Sequence, residues 1–261
     1  MRVPIYQVDA FTSEVFSGNP AAVCLLTEWL PDSTLQAIAA ENNLSETAFI
    51  VQAGEDFELR WFTPLTEVAL CGHATLAAAC VLFEMRRWPG KAIGFKTRKS
   101  GKLMVENKGG LFEMDFPSRP PNGEMHSGGF AEMLGAPPVK VMSSQEDIFV
   151  VFDTEKAVRE LKPDLSALAG LDCRGTIVTA RGERSDFVSR FFAPAVGVDE
   201  DPVCGSAHCV LTPYWAEILG KKDLRALQVS SRGGEIFCRD RGERVSIAGR
   251  CALYLEGVIS I

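Results

Sequence analysis

The chain has 261 residues and a mass of 28.4 kDa, which suits one large domain or two of about 130 residues each. Hydrophobic residues make up 46% and charged residues 23%, so composition argues against a disordered chain and for sizeable cores. A net charge of −7 opposes phosphate and anionic lipid alike, which argues against a nucleic-acid partner or a membrane-surface role.

The first ten residues lack the apolar run of a secretory signal. No stretch reaches the roughly 18 to 20 uninterrupted apolar residues of a membrane span. The expectation is a cytoplasmic protein with free thiols, because eight cysteines without framework spacings in a long chain do not describe a disulfide scaffold. No Cys-x-x-Cys pair or set of four well-spaced ligands is present, so no metal is expected.

Strands are expected at residues 6–11 and 22–26, with Ser17-Gly18-Asn19-Pro20 as a turn between them. Asn19 there is either an ordinary turn residue or an amide that can both donate and accept to a ligand. Pro31-Asp32-Ser33, with Gln36 at capping-box spacing from Ser33, opens a helix that runs through Leu35, Ile38 and Ala39 to about Asn42. A strand at 47–52 follows, and Glu46 lies between helix and strand. From spacing alone Glu46 reads as a solvated loop carboxylate; partly shielded, it would have a raised pKa and could carry a proton.

The segment 57–62 mixes aromatic and charged residues like a half-buried strand, and Pro64 stops it. Cys71-Gly72-His73 then opens an apolar stretch from Ala74 to Leu82, expected as a buried helix. Further strands are expected at 103–106, 111–116, 148–152, 176–180 and 186–192. After Asp199-Glu200-Asp201-Pro202, Cys204-Gly205-Ser206-Ala207 opens a second apolar helix with Val210, Leu211, Trp215, Ile218 and Leu219, ending at Gly220. The last strands fall at 229–231, 235–238, 245–248 and 252–256.

One sentence is written twice. Arg60-Trp61-Phe62-Thr63-Pro64 followed by Cys71-Gly72-His73-Ala74 returns half a chain later as Arg190-Phe191-Phe192-Ala193-Pro194 followed by Cys204-Gly205-Ser206-Ala207. The economical reading is two lobes of similar α+β fold, 1–118 and 119–261. The chain would pass from one to the other where Pro117, Pro120, Pro121 and Gly123 cluster.

A Cys-Gly at a helix start offers free N–H groups and the positive dipole end to an anion, and glycine lets a ligand approach the backbone. The same dipole would lower the pKa of Cys71 and Cys204 and make each thiol a proton carrier; the alternative is that both are small, well-packed residues. His73 can act as acid, base or hydrogen-bond donor. Asp201 suits the dipole as a cap, His208 reads as structural, and nothing around His126 suggests chemistry.

Taken in order, several strings resemble the phenazine-biosynthesis PhzF-like family. They are Val8-Asp9-Ala10-Phe11-Thr12, Gly18-Asn19-Pro20-Ala21-Ala22-Val23, Asn43-Leu44-Ser45-Glu46-Thr47-Ala48-Phe49, Arg60 to Pro64, Cys71-Gly72-His73-Ala74-Thr75 and Glu200-Asp201-Pro202-Val203-Cys204-Gly205-Ser206-Ala207. The resemblance implies the diaminopimelate epimerase-like fold: two pseudo-symmetric lobes, each a β-sheet or barrel wrapped around a central helix, with the active site between them. It also implies cofactor-free isomerisation of a small carboxylate by proton abstraction and return, in a homodimer. Glu46 matches the family's catalytic glutamate. Asn19, Gly72, His73, Asp201, Gly205 and Ser206 match positions that bind substrate or help relay its proton.

The chain departs from the phenazine enzyme at Cys204, where that enzyme has a non-thiol residue. Paired cysteines are the pattern of diaminopimelate epimerase and proline racemase, in which one thiolate takes the α-proton and the other thiol delivers one. Three readings therefore stand: a Glu46 isomerase, a Cys71/Cys204 racemase or epimerase of an amino acid, and a non-catalytic small-molecule binding protein.

Overall fold

The computed structural model describes residues 1–261, and its contacts divide the chain into two compact units, Met1–Asp115 with Ala248–Ile261, and Phe116–Ile247. No helix is long and apolar enough to cross a membrane. In the first unit β1 (Arg2–Ala10) runs antiparallel to β2 (Asn19–Leu26), and α1 (Asp32–Asn42) carries the chain to β3 (Glu46–Ala53), parallel to β2. β4 (Asp56–Phe62) lies antiparallel to β3 and pairs at its end with β5 (Glu67–Val68). Next comes α2 (Gly72–Cys80), prolonged by a π-helical turn over Val81–Met85. β6 (Ala92–Lys96) then lies parallel to β4, and β7 (Lys102–Asn107) and β8 (Phe112–Pro117) add antiparallel.

The second unit opens with β9 (Asn122–Glu124) and α3 (Phe130–Leu134) and then repeats that order. β10 (Lys140–Ser143) is antiparallel to β11 (Asp147–Val151), and α4 (Glu155–Glu160) with α5 (Leu165–Ala169) leads to β12 (Gly175–Arg181), parallel to β11. β13 (Phe187–Phe192) is antiparallel to β12; α6 (Gly205–Leu219) returns the chain to β14 (Asp223–Gln228), parallel to β13; β15 (Gly234–Asp240) is antiparallel again. β16 (Arg244–Gly249) precedes β17 (Cys251–Ser260), which pairs with β1 from Arg2↔Ser260 to Ala10↔Cys251. The expected split into 1–118 and 119–261 misses this return, because ladder bonding along β1 ties the last strand to the first unit.

Each unit buries apolar surface on two helix layers. In the first, Leu35, Ile38 and Ala39 of α1, spaced at three and four residues, pack with Ile5, Cys24, Phe49 and Phe62 from the strands. α2 is buried along its length from His73 to Cys80, and β1, β2, β3 and β17 all pack against it. Burying a side chain such as Leu76, fully covered here, contributes about 1.5–3 kcal/mol. In the second unit Phe130, Leu134, Val158 and Leu168 pack on Val150, Val178, Val188 and Phe192. α6 packs against β14 and β15 and ends at Gly220, whose φ of +64° suits glycine. Its last turn departs from the expected burial: Ile218 is exposed.

Local details differ from the pattern reading in instructive ways. α1 has no side-chain cap; Gln36 donates instead to Thr63 O at 2.9 Å, a tertiary contact that outbids the capping box. The strand expected at 229–231 is Asp223–Gln228, and Ser230 instead holds a turn by accepting from Gly233 N at 3.1 Å. Pro213 lies inside α6 and cannot donate to Cys209 O. That carbonyl accepts Arg119 N at 2.9 Å, so the broken helix bond anchors the segment after β8.

Candidate active site

The first unit brings Glu46, Cys71 and His73 together. Cys71, extended at φ −142° and ψ 110°, is the N-cap of α2, and Thr75 fixes it by donating to Cys71 O at 2.6 Å. His73, one residue into the helix, is buried with Nδ1 3.5 Å from Cys71 Sγ and Nε2 3.2 Å from Glu46 Oε2. Glu46 is the first residue of β3, and Asn42 steadies the approach to it by donating to Thr47 Oγ1 at 3.0 Å.

Their charges are set by one another. Burial pushes the Glu46 carboxyl up, but His73 and Cys71 beside it outweigh that, and the net pKa lies below the ordinary value. Burial likewise disfavours charge on His73, yet the neighbouring Cys71 and Glu46 raise its pKa well above 6.5. The Cys71 thiol, pushed up first by burial and then by the Glu46 charge, stands at about 11. The resting state is a carboxylate–imidazolium pair beside a neutral thiol. Two expectations are thereby corrected: Glu46 is depressed rather than raised, because His73 is its neighbour, and the helix dipole does not lower the thiol, because burial outweighs it.

The second unit builds a related cluster from different chemistry. Cys204, the N-cap of α6, has Sγ 3.2 Å from Ser206 Oγ. Ser206 Oγ accepts from Arg174 Nη1 at 3.0 Å, and the same guanidinium grips buried Asp147 with Nε (2.9 Å) and Nη2 while lying over the Phe191 ring. Burial, then the charge of Asp201, drives the Cys204 thiol well above its ordinary value despite Arg174. Asp201 Oδ1 accepts Val203 N, so it shapes the loop ahead of the helix rather than capping α6. Gln228 holds the same loop, accepting Cys204 N at 2.9 Å and donating to Asp201 O at 2.6 Å.

Asn19 is buried as the first residue of β2, opposite Ala10, after a turn in which Gly18 has φ +66° and any Cβ would meet Ala10 O at 2.2 Å. Gly72 and Gly205 each open their helix. His208 donates from Nδ1 to Cys204 O at 2.8 Å and is held down to about 4 by burial, a structural imidazole as expected. His126 makes only a local turn contact with Gly128 N. Sequence reading missed Arg174, Asp147 and Gln228. No sequence signal marks Arg174: the ladders set Thr47 opposite Phe62 and Thr176 opposite Phe192, so the position that matches Glu46 is Gly175, and Arg174 stands one residue before it.

The family model for phenazine biosynthesis-like proteins, PhzC-PhzF, matches residues 8–257. The chain belongs to this family. Among its members, an uncharacterized isomerase of Pseudomonas aeruginosa is 54% identical over 261 residues, covering all of both chains. A PhzF-family protein of Enterococcus faecalis, known from a crystal structure, is 45% identical with a TM-score of 0.98 over the full length of both. A hydroxyproline epimerase from Agrobacterium vitis shares the fold, with a TM-score of 0.62 at 9% identity over 99% of this chain and 91% of that one. The architecture is thus the family's α+β fold, two pseudo-symmetric lobes with a sheet around a central helix, related to that of racemases and epimerases.

Proposed function

We propose that this protein is a cofactor-independent isomerase of a small carboxylate, with Glu46 as its general acid/base. Glu46 takes a proton from a carbon next to an electron-withdrawing group, the electron pair of that C–H bond shifts into the conjugated system, and the proton returns at another carbon. His73 stabilises the carboxylate that must accept the proton, and the neutral Cys71 thiol serves as a donor rather than a base. In the second unit, Gly205 and Ser206 beside Arg174 suit a carboxylate group, because a guanidinium presents several N–H donors. The observation that carries the reading is the Glu46–His73–Cys71 grouping; it is supported by a full-length relative, 54% identical, that is named an isomerase.

The two-thiol alternative needs a thiolate at one cysteine, and burial drives both Cys71 and Cys204 away from that form. The deciding experiment is solvent-deuterium wash-in over amino acids, hydroxy acids and unsaturated carboxylates. Label arriving with a shifted double bond, and lost about 10²- to 10⁴-fold in Glu46→Gln, is the expected result. Full turnover in Glu46→Gln with none in Cys71→Ser or Cys204→Ser would overturn it in favour of the racemase. Ligand binding without any exchange would overturn it in favour of a binding protein.

A further inference from the structure

We propose that Glu46, Cys71 and His73 also form a binding site for a thiophilic divalent cation, Zn2+ or its spectroscopic stand-in Co2+. The three side chains offer one ligand atom each, all within 4.8 Å of one another, and no other three His, Cys, Asp or Glu side chains of the chain gather this way. Glu46 Oε2 and His73 Nε2 are both buried and lie 3.2 Å apart as an ion pair, and neither atom has any further hydrogen-bond partner. Two ligands of one tetrahedral zinc, each bonded at about 2.0–2.1 Å, stand about 3.3 Å apart, close to this spacing. Carboxylate, imidazole and thiol form a donor set that suits borderline-soft zinc and does not suit Mg2+ or Ca2+, which take oxygen ligands.

The backbone already fixes two of the three donors, since Cys71 caps α2 and His73 lies in its first turn. The sulfur now faces His73 Nδ1, so coordination turns the thiol about χ1 toward Nε2, and two protons leave to solvent, one from the thiol and one from Nε2 of the imidazolium. Three protein ligands leave a fourth position for water or a small anion. A cation held there occupies Glu46, so it acts as an inhibitor of any proton transfer that Glu46 performs. It is not a cofactor of the reaction.

Titration of the full-length protein with Co2+ tests the site without substrate, so its result is independent of the isomerase reading. Wild type should take up one equivalent with four-coordinate visible bands and a thiolate-to-cobalt charge-transfer band, and Zn2+ should displace it. Cys71→Ser should lose the charge-transfer band, and Glu46→Gln and His73→Gln should each weaken binding by at least about 10-fold, a loss of the size that even outer-shell changes produce. Cys204→Ser should keep the whole signal, with circular dichroism checking that every variant is folded. No binding at one equivalent, a spectrum without the thiolate band, or a band that survives Cys71→Ser would each overturn the site.

Discussion

In the first unit the residue before Thr47 of β3 is Glu46; in the second, the residue before the matching Thr176 of β12 is Gly175. A Cβ at Gly175 would meet Phe191 Cζ at 2.5 Å and Phe192 O at 2.8 Å, so the ring has taken the space where the first copy keeps a carboxylate. Arg174 lies over that same ring. Beside each helix-start cysteine sits a polar residue two positions on, His73 in one copy and Ser206 in the other. The chain of contacts then ends in opposite charges, Glu46 and Arg174. A duplicated scaffold can keep its helix start and its thiol while the side chains around them come to end in opposite charges.

What both copies retain is the support. Arg60 pairs with Glu67 through Nε and Nη2, each at 2.8 Å, and Arg190 pairs with Glu200 the same way at 2.7 and 3.0 Å. Each guanidinium lies over the phenylalanine two residues on, Phe62 or Phe192. These bridges tie the strand to the loop that leads into the Cys-Gly helix. The helix-start carbonyls are served by position i+4 in both, Thr75 on Cys71 O and His208 on Cys204 O.

The comparison breaks most visibly at the histidines. His208 has a folded pKa near 4 against 6.5 for the free side chain, so between those values the unfolded chain binds a proton that the folded chain refuses. Its contribution is intact above pH 6.5 and is lost as pH falls toward 4, amounting to about 3 kcal/mol at the low end. Urea unfolding of wild type against His208→Gln should show that slope only in wild type; equal slopes would remove His208 as its source.

Arg60→Ala and Arg190→Ala come next. Each should cost about 2 kcal/mol, the value of losing charge-assisted hydrogen bonds that are partly buried, with the two variants within a factor of two of each other in chemical denaturation. A large gap between them would show that the shared bridge does unequal work. Gly175→Ala should destabilise by about 1–3 kcal/mol through overpacking against Phe191. A neutral Gly175→Ala would mean that the ring moves aside readily and that glycine there is no requirement of the Arg174 site.

Much of this was legible beforehand. The doubled Arg-x-Phe and Cys-Gly strings predicted two strand–loop–helix copies, and both helices begin at the expected cysteines. Glu46 was legible only through family likeness, because nothing local distinguishes it from a loop carboxylate. Arg174 was not legible: it stands in a short Asp172-Cys173-Arg174-Gly175 stretch with no periodicity, and its partners Asp147 and Ser206 lie 27 and 32 residues away. The directions of the pKa shifts were misread for a related reason. A helix dipole can be read from the sequence, but burial and the approach of His73 to Glu46 cannot.

The sequence alone determined the α+β class, the internal duplication, the helix-start cysteines and the set of polar residues from which a site could be made, since these follow from residue type and short-range spacing. Only the tertiary structure decided which of those polar residues meet, that the last strand returns to the first unit, and that the thiols are neutral. Desolvation and charge pairing depend on groups far apart in the chain, and their energies exist only once folding has brought those groups within a few ångströms.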